Sequence, residues 1–288
     1  MKVHRFKYCV LLLFTLLVNA QKENLAEKLG YPSDSKLLIL HADDIGVAQS
    51  VNQASFNAFE SGSITSGSVM VPCPWFLEAA EYAKANPNHD LGLHLTVTSE
   101  WKNYKWGGIS SSNEINSLIN NNGHFYESNN DFEENAIYSE VKKELKAQVN
   151  YAIKNGLNPT HLDSHMGALR SRLDTYQAYI EIGQEFDIPV LLSKEYENTI
   201  SINDVDKSNI DISKLIWVNK IYSKTDDSSI DKESWEKFYY DTLDKIQPGL
   251  NVMLLHLGYD NGELKSMMVD HPNWGSKWRG LDKKIIRQ

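Results

Sequence analysis

Short apolar runs alternate along the chain with longer segments of mixed character. Runs at 37–42, 64–71, 91–97, 160–163, 188–192, 215–218 and 252–256 have the length and apolar content that predict buried strands. Between them, residues 49–60, 75–85, 133–155, 173–186 and 232–246 carry helical patterns. Helix punctuation agrees with this division: Pro74 stands where a helix can open, Asn155-Gly156 where one can close, and Pro189 follows the helix that precedes its strand. Alternation of this kind predicts an α/β protein whose parallel strands are joined by crossover helices. With no internal repeat or low-complexity linker, residues 21–288 are expected to form a single β/α-barrel domain. Seven predicted strands are one fewer than an eightfold barrel, and the chain stops soon after Trp278-Arg279, so the barrel is expected to be seven-stranded or incomplete at its C-terminus.

The first twenty residues do not belong to this pattern. Lys2, Arg5 and Lys7 precede an apolar stretch from Cys9 to Val18, and Ala20 is a small residue before Gln21. This is the composition of a cleaved secretory signal peptide, and the apolar stretch is short for a membrane span. The expected product is secreted or periplasmic, without a stable membrane span, and Cys73 as its only cysteine precludes an internal disulfide. Loss of Lys2, Arg5 and Lys7 takes the formal charge from −9 to about −12, which argues against nucleic acid as a partner.

Candidate chemistry gathers at the ends of the predicted strands. Asp43-Asp44 close the first run, His94 lies in Gly92-Leu93-His94-Leu95, and His161, Asp163 and His165 lie in Thr160-His161-Leu162-Asp163-Ser164-His165. Carboxylates and imidazoles in these places match the ligands of a mononuclear hydrolytic metal site. On an extended strand His161, Asp163 and His165 share one side. Asp43 and Asp44 would diverge, but Gly46 signals a turn that lets both reach one site, one carboxylate holding metal and the other moving protons. Any one of these side chains alone reads better as a core histidine or a helix cap, and their combination reverses that reading. His89, His124 and His271 read as surface residues.

Four motifs in order, Ala42-Asp43-Asp44-Ile45-Gly46, the segment from Ser61 to Met70, Gly92-Leu93-His94-Leu95-Thr96 and Thr160-His161-Leu162-Asp163-Ser164-His165, resemble the YdjC-like carbohydrate deacetylases, the group that contains chitooligosaccharide deacetylase. The resemblance implies a TIM-like β/α barrel and one divalent metal ion, Mg²⁺ or Zn²⁺, with Asp44, His94 and His165 as ligands, Asp43 as general base and His256 as general acid. His161 and Asp163 are assigned to orienting the ligands by hydrogen bonding. The chain departs from the family pattern at His41, at Met166-Gly167 and at Leu257, positions that bear on sugar preference more than on the metal triad.

The long connector from Ser99 to Asp131 carries Trp101, Tyr104 and Trp106. Trp101 and Trp106 are expected either to stack on sugar rings or to pack beneath their own loop. The activity that follows is metal-dependent hydrolysis of the N-acetyl group of amino-sugar oligosaccharides. Hydrolysis of another small amide or ester, and a non-catalytic glycan-binding barrel, are the alternatives.

Overall fold

The strand-like runs form a curled parallel sheet in the computed structural model, which describes residues 25–195, 201–225 and 229–286. The signal segment expected at residues 1–20 lies outside the described residues. The strands are β1 (Lys36–Ile45), β2 (Ser66–Val69), β3 (Leu91–Leu95), β4 (Leu162–Ser164), β5 (Leu192–Ser193), β6 (Trp217–Val218), β7 (Lys220–Tyr222) and β8 (Gly249–Leu255). Six of them pair in the order β4-β3-β2-β1-β8-β7, and β5 and β6 form a second parallel pair. An isolated parallel bridge between Leu162 and Val190 links β4 to the segment entering β5, while Asn219 alone separates β6 from β7. Each of the seven expected runs overlaps a strand, and Lys220–Tyr222 is an additional segment. Strands β1 and β8 pair over seven residue positions, from Lys36 with Gly249 to Ala42 with Leu255. That register sets the ends of the two strands side by side.

The helices are α1 (Leu25–Lys28), α2 (Gln49–Glu60), α3 (Phe76–Ala85), α4 (Asn129–Asn135), α5 (Tyr138–Lys154), α6 (Leu173–Glu185), α7 (Lys232–Lys245), α8 (Gly262–Met267) and α9 (Ser276–Ile285). Among the described residues no helix is long and apolar enough to cross a membrane. One expectation is corrected here: the helix read over 133–155 is broken. Ala136 and Ile137 are extended, and side chains capture the backbone groups left at the break. Arg172 Nη2 donates to the Ala136 carbonyl (2.9 Å), and the Ile137 N–H donates to Ser117 Oγ (3.0 Å). Near the C-terminus, Trp235 of α7 and Trp278 of α9 meet edge to face at 4.6 Å between ring centroids, both fully buried. This contact fixes α9 against the body of the protein.

The connector after β3 is a folded layer with its own core. Trp101, Trp106, Ile115, Leu118 and Phe125 are buried within it. Buried Glu144 of α5 accepts from the N–H groups of Ile109 and Ser110, both at 2.9 Å, and Gln148 of the same helix bonds both backbone groups of Thr96. Polar side chains of α5 thus satisfy loop backbone that would otherwise be buried unpaired.

Candidate active site

At the end of β1 the regular alternation of side chains breaks down. His41 and Asp43 point to one face by ordinary strand geometry, which would turn Asp44 to the other. Asp44 instead has φ +65°, and the β1–β2 register shifts between Ala42 and Ile45. A non-glycine residue in the left-handed region costs about 1–3 kcal/mol, and aspartate is among the side chains that tolerate it. The irregularity lets two successive carboxylates serve one site. Gly46 follows with φ +95°, and a Cβ there would lie 3.1 Å from the Met70 carbonyl oxygen.

Asp44, His94 and His165 come together from β1, β3 and the turn after β4. All three are buried, and one potential donor atom from each lies within 4.8 Å of the other two. His94 Nε2 and His165 Nδ1 each stand 3.4 Å from Asp44 Oδ1. The opposite ring nitrogens are held: His94 Nδ1 is 2.6 Å from Asp163 Oδ1, and His165 Nε2 is 3.1 Å from Glu100 Oε2. Asp44 Oδ2 accepts a 2.6 Å hydrogen bond from Arg279 Nη2, whereas Asp44 Oδ1 is buried without a hydrogen-bond partner. A buried, unpartnered carboxylate oxygen facing two imidazole nitrogens fits a divalent cation.

The electrostatics follow from these contacts. Burial alone would push the Asp44 carboxyl up, but Arg279, His165 and His94 draw it well below the usual carboxylate range. Burial likewise opposes ionisation of Asp163, and His94 and His41 reverse that effect, so Asp163 is also held well below its ordinary value. An ionised carboxylate only accepts, which places a proton on His94 Nδ1. Against the effect of burial, Asp163, Asp43 and Asp44 also raise the His94 pKa well above its ordinary value, so Nε2 becomes a ligand when a cation displaces its proton. Against the effect of burial, Glu100 and Asp44 raise His165 to about 9.

Asp43 occupies a different position from its neighbour. Its Oδ1 lies 3.2 Å from His41 Nε2, and its Oδ2 lies 3.8 Å from His256 Nε2. His256 follows β8 directly, and its side chain is 15% exposed. Its backbone N–H donates to Asp282 Oδ2 (2.9 Å), while Asp282 Oδ1 accepts from Trp235 Nε1 (2.7 Å) and Tyr239 OH (2.8 Å). Burial lowers the His256 pKa despite the opposing pull of Asp44 and Asp43.

Other expected site residues are placed differently. Asp163 Oδ1 lies against His94 Nδ1. His161 is set beside His41 instead, with ring centroids 5.1 Å apart and Nδ1 turned to Thr160 and Asp90. The sugar-stacking expectation for Trp101 and Trp106 is corrected by their burial: each is 3% exposed and they pack edge to face at 5.5 Å. Trp106 Nε1 donates to the Thr98 carbonyl (2.8 Å), and its ring lies 6.3 Å from that of His165. These indoles back the site from beneath their loop. The sequence reading missed Glu100, Arg279 and Asp282, whose only signal was charge within segments otherwise rich in polar residues.

The chain belongs to the family of YdjC-like proteins, whose model matches residues 37–286 and so spans β1 through α9. A carbohydrate deacetylase from Thermus thermophilus is 34% identical over 174 residues, an alignment spanning 60% of this chain and 60% of that protein. Another carbohydrate deacetylase, from Thermoanaerobacter pseudethanolicus, is 26% identical over 254 residues, covering 87% of this chain and 90% of the other. Among solved structures, a protein of Enterococcus faecalis V583 described as a candidate for cellobiose-phosphate cleavage superposes with a TM-score of 0.72 at 22% identity. That match covers 88% of this chain and 91% of the other, and it establishes the likeness of fold.

Proposed function

We propose that the protein hydrolyses the N-acetyl group of amino-sugar oligosaccharides with one divalent metal ion, releasing acetate. The observation that carries this reading is the division of labour between adjacent carboxylates: Asp44 faces two imidazoles, while Asp43 faces His256 across 3.8 Å. The carbohydrate deacetylases among its relatives support an acetylated sugar as substrate. Asp44, His94 and His165 would hold the ion. One carboxylate with two imidazoles suits Zn²⁺, whereas Mg²⁺ favours more oxygen ligands. A divalent ion supplies Lewis acidity there, polarising an acyl group and making water more acidic.

The chain's own residues move the protons. Asp43 takes a proton from the attacking water as the water oxygen bonds to the amide carbon. His256, whose pKa lies below the ordinary value, is neutral at neutral pH and must gain within the cycle the proton that it gives. Asp43 Oδ2, 3.8 Å from its Nε2, is the source. His256 then protonates the nitrogen as the C–N bond breaks. Acetic acid, which ionises to acetate, and the free amine leave, and both side chains return to their starting protonation.

Acetate release from N-acetylated oligosaccharides, O-acetylated sugars and non-sugar amides and esters, measured with and without a chelator, tests the reading. Release from N-acetylated oligosaccharides that is lost on chelation and restored by Zn²⁺ or Mg²⁺ is expected. Preference for another amide or ester replaces the substrate, and glycan binding without acetate release overturns the activity. The composition of residues 1–20 supports a secreted or periplasmic location. N-terminal sequencing of exported protein should begin at or near Gln21, and recovery of only the full-length chain in membranes would refute cleavage.

A further inference from the structure

Arg279 stands 235 residues after Asp44 in the chain, yet its side chain reaches the centre of the site. It is only 1% exposed and is held from three directions. Nη2 donates to Asp44 Oδ2 at 2.6 Å, Nε donates to the Trp274 carbonyl at 2.7 Å, and the guanidinium carbon lies 5.7 Å from the ring centroid of Trp101. Two of these partners have unusual backbones, with φ +65° at Asp44 and φ +55° at Trp274. Such conformations persist where surrounding contacts over-determine them.

A carboxylate without a second partner can rotate and present either oxygen. Here Oδ2 is taken by the guanidinium, so Oδ1 alone faces His94 and His165. One helical turn further along α9, Asp282 fixes the backbone of His256. We propose that Arg279 is a positioning residue of the metal centre, fixing Asp44 so that Oδ1 is offered to the ion, and that α9 thereby aligns the ligand and the proton donor together. This inference rests on the metal reading above.

The charge of Arg279 works against its geometry, which makes the test decisive. A guanidinium beside a cation repels it, so removing the charge should tighten metal binding if electrostatics were its whole effect. If positioning dominates, binding should weaken by about 10–100-fold, the usual range for loss of a group that orients a ligand. Full-length wild-type, Arg279→Lys and Arg279→Gln proteins would be titrated with Zn²⁺ by calorimetry below their thermal transitions, with kcat and KM measured alongside. Weakened Zn²⁺ binding in both variants, with a fall in kcat larger than any change in KM, is expected. Wild-type or tighter Zn²⁺ binding in both overturns the inference, even if their Tm falls, because Arg279 would then serve only to dock the helix. Should Arg279→Gln fail to fold, Arg279→Lys decides alone: it keeps the charge but lacks the fork that reaches both Asp44 and Trp274. A wild-type chain that binds neither Zn²⁺ nor Mg²⁺ overturns the metal reading and this inference together.

Discussion

His41 and His94 lie in neighbouring regions of the same sheet, both buried and both bonded to Asp163, yet their surroundings give them different chemistry. At the mouth, His94 spends one nitrogen on Asp163 and turns the other toward Asp44 Oδ1, which has no hydrogen-bond partner. Deeper inside, His41 has both nitrogens engaged: Nδ1 with Ser66 Oγ at 2.9 Å, and Nε2 with Asp163 Oδ2 at 3.0 Å and Ser68 Oγ at 3.1 Å. Below His41 is a cavity of about 180 Å³ whose lining includes Ile39, Val190, Leu250 and Val252. His41, His161 and Asp163 are close enough together to suggest a second cation site. The saturation of His41 and Asp163 by hydrogen bonds argues against it, because a ligand must have a lone pair to give. His161 Nε2 is buried without a hydrogen-bond partner there, as Asp44 Oδ1 is at the other site, so it is the engagement of both His41 nitrogens that separates the two regions.

The largest effect expected at the mouth is from His94→Ala or His165→Ala. Each should abolish most turnover and strip bound divalent metal while the fold remains intact by circular dichroism; unchanged metal content in both purified variants would refute the assignment. Asp43→Asn should retain metal and lower kcat by roughly two to four orders of magnitude, the scale for loss of a general base. Loss of metal from that variant, with retention in Asp44→Asn, would show that the two carboxylates exchange roles. Asp163→Asn touches both regions and should weaken metal binding by about 10–100-fold in a direct titration. An effect confined to stability would mean that Asp163 serves only the interior.

His41→Gln should have the smallest effect on metal binding and a distinct effect on pH dependence. Although burial opposes protonation, Asp163 and Asp43 raise His41 from 6.5 to about 9. A folded-state pKa above the unfolded value stabilises the fold fully below pH 6.5, and that contribution is lost as pH rises through about 9. The Tm of the metal-free wild type should therefore decline across this window, and His41→Gln should decline less steeply. Identical slopes would show that His41 does not carry the extra proton.

Much of the frame was legible because it depends on local periodicity. The strand runs were visible as apolar stretches, and α2 falls on residues 49–60 as its pattern predicts. Asp43, Asp44, His94 and His165 were legible as candidates because each stands at or near a strand end. How two adjacent aspartates share one site was not, since the deviation occurs at Asp44 itself, before Gly46. The break between α4 and α5 depends on Ser117 and Arg172, which are distant in sequence from the groups they bond. Whether Trp101 and Trp106 stack on sugar or pack beneath their loop was not legible, because their burial depends on packing with other loop residues. Arg279 and Asp282 have the charges of surface residues, and only their tertiary partners reveal otherwise.

The pairing of Asp44 with Arg279 also bears on the order of folding. Their sequence separation of 235 residues makes it a contact of very high order, with a loop-closure cost that local helices do not carry and that the pairing of β1 with β8 shares. During synthesis β1 leaves the ribosome long before α9, so a nascent chain can form much of its local structure while Asp44 still lacks this partner. Completion of the Asp44–Arg279 pair therefore waits for α9, the last helix among the described residues, to dock.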